Sequence, residues 1–130
     1  TRGYNGFVVT RTYPTMIMVQ STFQLLPETK DAALRLMENM VHLSREEEGC
    51  LSYEYFQGLT DPNQVILLQE WDCADALEEH YQTDHMEEFL GNLGQYLESP
   101  VSTRSYVAPE SGSVKPALSD EPPKPEQTIH

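Results

Sequence analysis

The chain has 130 residues, of which 38% are hydrophobic, and a formal net charge of −13. This length predicts one folded domain with tails, and no apolar run approaches the length of a membrane-spanning helix. An excess of negative charge repels phosphate backbones and anionic membrane surfaces, so nucleic-acid binding and membrane adhesion are not expected.

The cysteine content indicates a reducing compartment. Cys50 and Cys73 are the two cysteines of the chain, and two cysteines do not make a disulfide framework. No signal peptide is visible in the sequence. We therefore expect a cytoplasmic location, although the sequence does not begin with Met and a targeting segment ahead of residue 1 stays open.

Composition divides the chain into three segments. Residues 1–15 are interrupted by glycine and form an N-terminal extension, in which residues 7–9 could add a short edge strand. Residues 16–107 carry the apolar patterns of the folded domain. Residues 108–130 are rich in Pro, Ser and Glu, a composition typical of a disordered tail.

The first half of the domain predicts a strand, a helix and a second strand. Residues 16–26 are rich in β-forming residues, and Pro27 ends this strand and opens a helix that runs to about Arg45. Gly49 is expected to adopt the positive φ that ends a helix, and residues 50–57 then form the second strand.

The second half predicts a hairpin, a broken helical region and a last strand. Residues 59–63 contain the turn chemistry of Asp61-Pro62-Asn63, and residues 64–72 form the third strand. Residues 75–82 and 86–97 are helical, with a break near Thr83 and Asp84, either of which can cap the second part. Residues 101–107 form the fourth strand.

This β-α-β-β-α-β order predicts an α+β, ferredoxin-like fold with two helices on one face of a four-stranded antiparallel sheet. The two faces of the third strand are Val65, Leu67, Gln69 and Trp71 on one side and Ile66, Leu68 and Glu70 on the other. Both are largely apolar, so we expect the helices to cover the first face and a second copy of the chain to cover the other. The predicted assembly is a homodimer.

Several short motifs carry a resemblance to a known family. They are residues 44–54 (SREEEGCLSYE), 61–63 (DPN), 70–71 (EW), 76–80 (ALEEH) and 84–86 (DHM). With them, residues 16–107 resemble the antibiotic biosynthesis monooxygenase family. The resemblance implies a dimeric α+β barrel, in which two ferredoxin-like sheets pack together. Family members include oxygenases that need no metal or flavin, heme-degrading enzymes and an isomerase, so the resemblance does not specify the substrate.

Three residues are candidates for catalysis. Trp71 resembles a tryptophan in the substrate cavity of the phenol-oxidising relatives, where its indole N–H would donate to a substrate oxygen; the alternative is a large core residue. His80 is a candidate general base, or else an imidazole that satisfies a carbonyl or carboxylate at the helix break. Tyr53 is a candidate to hold a substrate oxygen, or else a core aromatic residue.

The expected lining of a cleft for a flat aromatic ligand is apolar and flexible, with core packing as the alternative. It consists of Met37, Met40, Leu67, Met86, Phe89 and Leu93. No metal site is predicted, because His80 and His85 are five residues apart and do not fit i, i+4 spacing. His85 and the glutamates at 46–48 and 78–88 are interpreted as solvated. Glu70 is expected at the dimer interface, where it pairs with Arg104 or Arg45 or accepts interface hydrogen bonds.

These candidates favour a cofactor-independent monooxygenase in which a phenol or quinol is deprotonated and its anion reduces O₂ directly. One alternative is an isomerase that uses the same base and donor, and another is a non-enzymatic dimer that binds a small aromatic ligand. Heme degradation is disfavoured. An ungapped comparison places His80, Leu90 and Ser21 where heme-degrading relatives carry Trp, His and Asn.

Overall fold

The computed structural model describes residues 16–108. The predicted edge strand at residues 7–9 and the predicted disorder beyond residue 108 lie outside this range. The strands are β1 (Ile17–Gln24), β2 (Cys50–Gln57), β3 (Gln64–Trp71) and β4 (Ser102–Val107). The helices are α1 (Lys30–Arg45), α2 (Ala74–Tyr81) and α3 (Asp84–Leu93), and short 3-10 turns lie at Pro27–Thr29 and Gly94–Tyr96.

The four strands form one antiparallel sheet in the order β2-β3-β1-β4. The last strand therefore pairs with the first, while β2 and β3 form the hairpin that the sequence predicts. The turn before β3 closes through Asp61, whose carboxylate accepts a hydrogen bond from the Asn63 amide at 3.1 Å. The predicted α+β, ferredoxin-like fold is confirmed.

The helices cover one face of the sheet. Along β3, Val65, Leu67, Gln69 and Trp71 are buried, whereas the residues between them are partly exposed. Tyr53 of β2 lies opposite Gln69 and shares its face. The other face carries Ile66 and Leu68, and no element within residues 16–108 covers it. Its burial in a homodimer stays a prediction.

The second helical region consists of two helices separated at Gln82 and Thr83. The Thr83 hydroxyl accepts a hydrogen bond from the Met86 amide at 3.2 Å, which caps the N-terminus of α3 and confirms the predicted break. This break places His80 near the end of α2 and His85 in the first turn of α3. Within residues 16–108, no helix has the length and apolarity needed to cross a membrane.

Candidate functional site

Glu47 joins the two histidines of the broken helical region. It follows the end of α1, and its carboxylate lies 2.9 Å from Nδ1 of His80 and 2.5 Å from Nε2 of His85. The Glu47 side chain is only 14% exposed. Because an ionised carboxylate can only accept hydrogen bonds, each of these ring nitrogens carries a proton and donates to it.

Gly49 gives the chain the tight turn that brings Glu47 to α2. Its φ is +88°, as the sequence predicts, and its carbonyl accepts a hydrogen bond from the Asp72 amide at 2.9 Å. A Cβ atom at this position would lie 2.5 Å from the Cβ of Ala76 on α2. The segment between α1 and β2 therefore packs directly against the start of α2 because residue 49 has no side chain.

His80 is enclosed by aromatic rings. Its side chain has no exposed surface. Its ring centroid lies 4.7 Å from that of Trp71 and 5.6 Å from those of Tyr53 and Tyr81. Within the described range of residues, its Nε2 atom has no hydrogen-bond partner. An unpaired buried nitrogen of this kind costs free energy and therefore calls for an explanation, of which a catalytic role is one.

Burial lowers the pKa of His80, because an imidazolium ion is poorly solvated among aromatic rings, and the charge of His85 acts in the same direction. The hydrogen bond and negative charge of Glu47 oppose this shift without cancelling it. His80 is therefore a neutral imidazole at neutral pH. With its proton on Nδ1, facing Glu47, its lone pair is on Nε2.

Trp71 does not offer its indole N–H to the outside. The residue is fully buried, and its Nε1 donates a hydrogen bond of 2.8 Å to Oε1 of Gln69, two residues earlier on the same face of β3. The indole N–H is therefore already used in a hydrogen bond within the protein and is not free for the predicted donation to a substrate oxygen. Gln69, whose Oε1 accepts that bond, can instead offer its amide NH₂ group as a donor.

The Tyr53 ring packs edge-on against that of His80, with their centroids 5.6 Å apart. Tyr53 is 1% exposed, and burial raises its pKa to about 12. The Tyr55 and Ser44 hydroxyls lower the pKa, but by less than burial raises it. The phenol consequently stays protonated across the physiological range and can act as a hydrogen-bond donor.

A cleft of about 210 Å³ lies between the sheet and α3. Five of the predicted site residues line it, namely Tyr53, Leu67, Met86, Phe89 and Leu93. Gln69 supplies a polar group within this apolar lining, and Ser21 and Thr103, whose hydroxyls are 3.0 Å apart, supply two more. An apolar cleft with a few polar groups suits a small, largely aromatic ligand.

Not all predicted site residues reach this cleft. Trp71 and His80 are not part of its lining, but Tyr53 and Tyr81, which flank the His80 ring, are. Met37 and Met40 are buried in the core; Met37 borders a separate groove of about 310 Å³ beside α1, and Met40 borders a cavity of about 70 Å³ next to His85.

Two expectations of solvated side chains, those for Glu47 and His85, are wrong. The Glu47 carboxylate binds both His80 and His85, so neither Glu47 nor His85 is a solvated surface residue. Within the described chain, Glu70 accepts a hydrogen bond from the Ser52 hydroxyl at 3.0 Å and Arg45 pairs with Glu54 at 2.7 Å, so the place of Glu70 at a dimer interface stays a prediction. The spacing argument against a metal site also fails, because the helix break removes the i, i+4 geometry on which it depends.

Comparison with known proteins identifies the family. Residues 16–91 match the family model described as antibiotic biosynthesis monooxygenase. The chain belongs to this family. The resemblance in the sequence motifs is thus confirmed, and the matched range contains the Glu47, His80 and His85 cluster together with most of the cleft.

Curated relatives of this antibiotic biosynthesis monooxygenase family member are about a quarter identical to it over the aligned residues. An uncharacterized protein of Synechocystis is 27% identical over 73% of this chain, and the match spans 65% of that protein's length. Two others are named "Putative monooxygenase": YcnE of Bacillus subtilis is 28% identical over 66% of this chain and 90% of its own, and Rv0793 of Mycobacterium tuberculosis is 27% identical over 66% and 84%.

Solved structures show the same fold. A conserved protein from Methanosarcina mazei superimposes with a TM-score of 0.69 at 26% identity, covering 72% of this chain and 93% of that protein. The structure of Rv0793 gives a TM-score of 0.70 at 23% identity and covers 76% and 100%. At this level of identity the second match supports the fold alone.

Proposed function

We propose that this protein is a cofactor-independent monooxygenase that oxidises a small phenol or quinol with O₂. The observation that carries the proposal is the setting of His80: its Nδ1 atom is hydrogen-bonded to Glu47, and its buried Nε2 atom has no hydrogen-bond partner among residues 16–108. Family membership and the names of two relatives agree with it.

The chemistry needs a base, a donor for the substrate oxygen and a dry cleft. Nε2 of His80 removes the proton of a substrate hydroxyl, and Glu47 stabilises the imidazolium ion that results. The electron-rich anion reacts with O₂ at carbon, and the hydroperoxide loses water to leave a carbonyl group. The overall conversion of phenol and O₂ to quinone and water balances without an external reductant.

The polar groups beside the cleft are placed to stabilise the substrate anion. The Tyr53 hydroxyl is a donor at neutral pH, and the Gln69 amide is oriented by the Trp71 indole. Preorganised donors of this kind act strongly where water is excluded. In this proposal Trp71 positions the donor, while Tyr53 and Gln69 contact the substrate oxygen.

Tyr81 controls the approach to His80. Its side chain belongs to the cleft wall and is 45% exposed, while its ring lies 5.6 Å from that of His80. We infer that rotation of this ring toward solvent would open the cleft to His80. The substrate is therefore expected to displace Tyr81 when it binds.

A homodimer is part of the proposal. The sheet face away from the helices carries Ile66 and Leu68, and Phe56 on the neighbouring strand is 50% exposed in the single chain. A second copy packed on this face would remove an apolar surface from water. Light scattering should give a mass of twice the 14.8 kDa chain or a multiple of it, and a stable monomer would contradict this part.

Oxygen uptake tests the reaction. Chelator-treated protein is incubated with naphthols, anthrones and quinols, and a His80→Gln variant is compared with His42→Gln. His42 is an exposed residue of α1 outside the cleft. Loss of a general base lowers the rate by about 10²- to 10⁴-fold, so the first variant should lose uptake and the second should keep it. Uptake that survives His80→Gln, or no protein-dependent uptake with the whole panel, would refute the proposal.

A further inference from the structure

Glu47, His80 and His85 place three potential metal-ligand atoms within 4.8 Å of one another. Each residue comes from a different element, namely the turn after α1, the end of α2 and the first turn of α3. Two imidazole nitrogens and one carboxylate oxygen thus converge from three directions, an arrangement that no single helix could present.

We propose that this cluster binds one divalent transition-metal ion such as Zn²⁺, Co²⁺ or Ni²⁺. Imidazole nitrogen with one carboxylate oxygen is a donor set that suits Zn²⁺, Co²⁺ and Ni²⁺. Mg²⁺ and Ca²⁺ prefer sites built wholly from oxygen atoms and are not expected to compete.

The distances require only a small adjustment. Ligand atoms around a tetrahedral zinc ion lie about 3.3 Å apart, given metal–ligand distances of about 2.0–2.1 Å. In this cluster the two nitrogens lie 2.9 Å and 2.5 Å from one oxygen of Glu47. An ion that replaces the two hydrogen-bonding protons would move each nitrogen outward by less than about 1 Å.

The burial of the three side chains gives the site an inner wall and an open side. His80 is fully buried, whereas Glu47 is 14% and His85 21% exposed. An ion can therefore enter past Glu47 and His85, and water can fill the remaining coordination position from the same side. A net charge of −13 raises the local concentration of cations at the surface.

Metal binding at this site opposes the proposed catalytic use of His80. Coordination through Nδ1 moves the imidazole proton to Nε2, where it removes the lone pair of the base. This consequence rests on the proposed function, but binding itself does not. An occupied cluster would hold the oxygenase in an inactive state, and a chelator would release it.

Cobalt titration tests the site without substrate. Co²⁺ is added to the chelator-treated full chain, and visible absorption bands are followed to saturation, with Zn²⁺ as a competitor. We expect one ion per chain. His85→Gln and Glu47→Gln should each weaken binding by at least about tenfold, since even outer-shell changes cost 10- to 100-fold in affinity.

His42→Gln and His130→Gln are the matched controls, because each removes one of the other two histidines of the chain. Both should leave the titration unchanged. Circular dichroism is used to check that the variants fold. If Glu47→Gln does not fold, His85→Gln alone tests the site. Absence of bands in the wild-type protein, binding that survives both ligand variants, or binding lost in a control would overturn the proposal and leave a cluster held by hydrogen bonds alone.

Discussion

Substitution of Gly49 by alanine should destabilise the protein strongly. At φ +88° an alanine is strained, which costs about 1–2 kcal/mol. The added Cβ atom would also lie 2.5 Å from the Cβ of Ala76 and 2.8 Å from Oδ1 of Asp72. Relief of such overlap in a packed site typically costs a further 1–3 kcal/mol, so the expected loss is about 2–5 kcal/mol.

Gly91→Ala is the matched control. Gly91 lies within α3, and a Cβ atom there would meet nothing within 4 Å among the described residues. Alanine is the better helix former, so this variant should gain roughly 0.5–1 kcal/mol. The free energy of unfolding is measured by urea denaturation at one protein concentration, because a dimer makes stability concentration-dependent. A Gly49→Ala variant within about 0.5 kcal/mol of wild type would refute the account of this turn.

Three further predictions concern the site. Gln69→Leu should cost about 1–3 kcal/mol by leaving the Trp71 N–H unpaired, and adding Trp71→Phe should recover part of this loss; equal losses in the single and double variants would contradict the bond. Well above pH 6.5, the ordinary pKa of histidine, His80 is neutral in both the folded and the unfolded state. Below it the unfolded chain takes up the proton first, so stability should fall toward the lowered pKa of the folded state. Glu47 and His85 both face this ring. As the pH is lowered, the urea midpoint of metal-free His80→Gln should fall less steeply than that of wild type. An unchanged slope would mean that His80 does not cause the loss of stability. Finally, Zn²⁺ should inhibit oxygen uptake in wild type and a chelator should restore it, while His85→Gln should resist inhibition; equal inhibition of both proteins would place the effect elsewhere.

Local patterns predicted the fold well because each depends on neighbouring residues. Alternation along β3 placed Trp71 on the helix side, Gly49 marked the end of the helical segment, and Thr83 marked the helix break. These features follow from side-chain periodicity and backbone preference, which a sequence displays directly.

The site was harder to predict because its contacts join distant parts of the chain. Glu47 lies in a run of three glutamates, and no local pattern tells which of them turns inward. Gln69 offered a clearer signal, since a polar residue on a buried strand face needs a partner and Trp71 shares that face. The expectation for Met37 and Met40 rested on helical spacing, which describes a core as well as it describes a cleft.

The two residues between α2 and α3 have a mechanical consequence. The first turn of α3 holds His85 against Glu47, and Phe89 and Leu93 further along the same helix line the cleft. Any shift that draws its first turn inward must also tilt the wall that a ligand would touch. The width of the cleft and the contact of His85 with Glu47 are thus coupled through the position of α3, with Thr83 as the hinge.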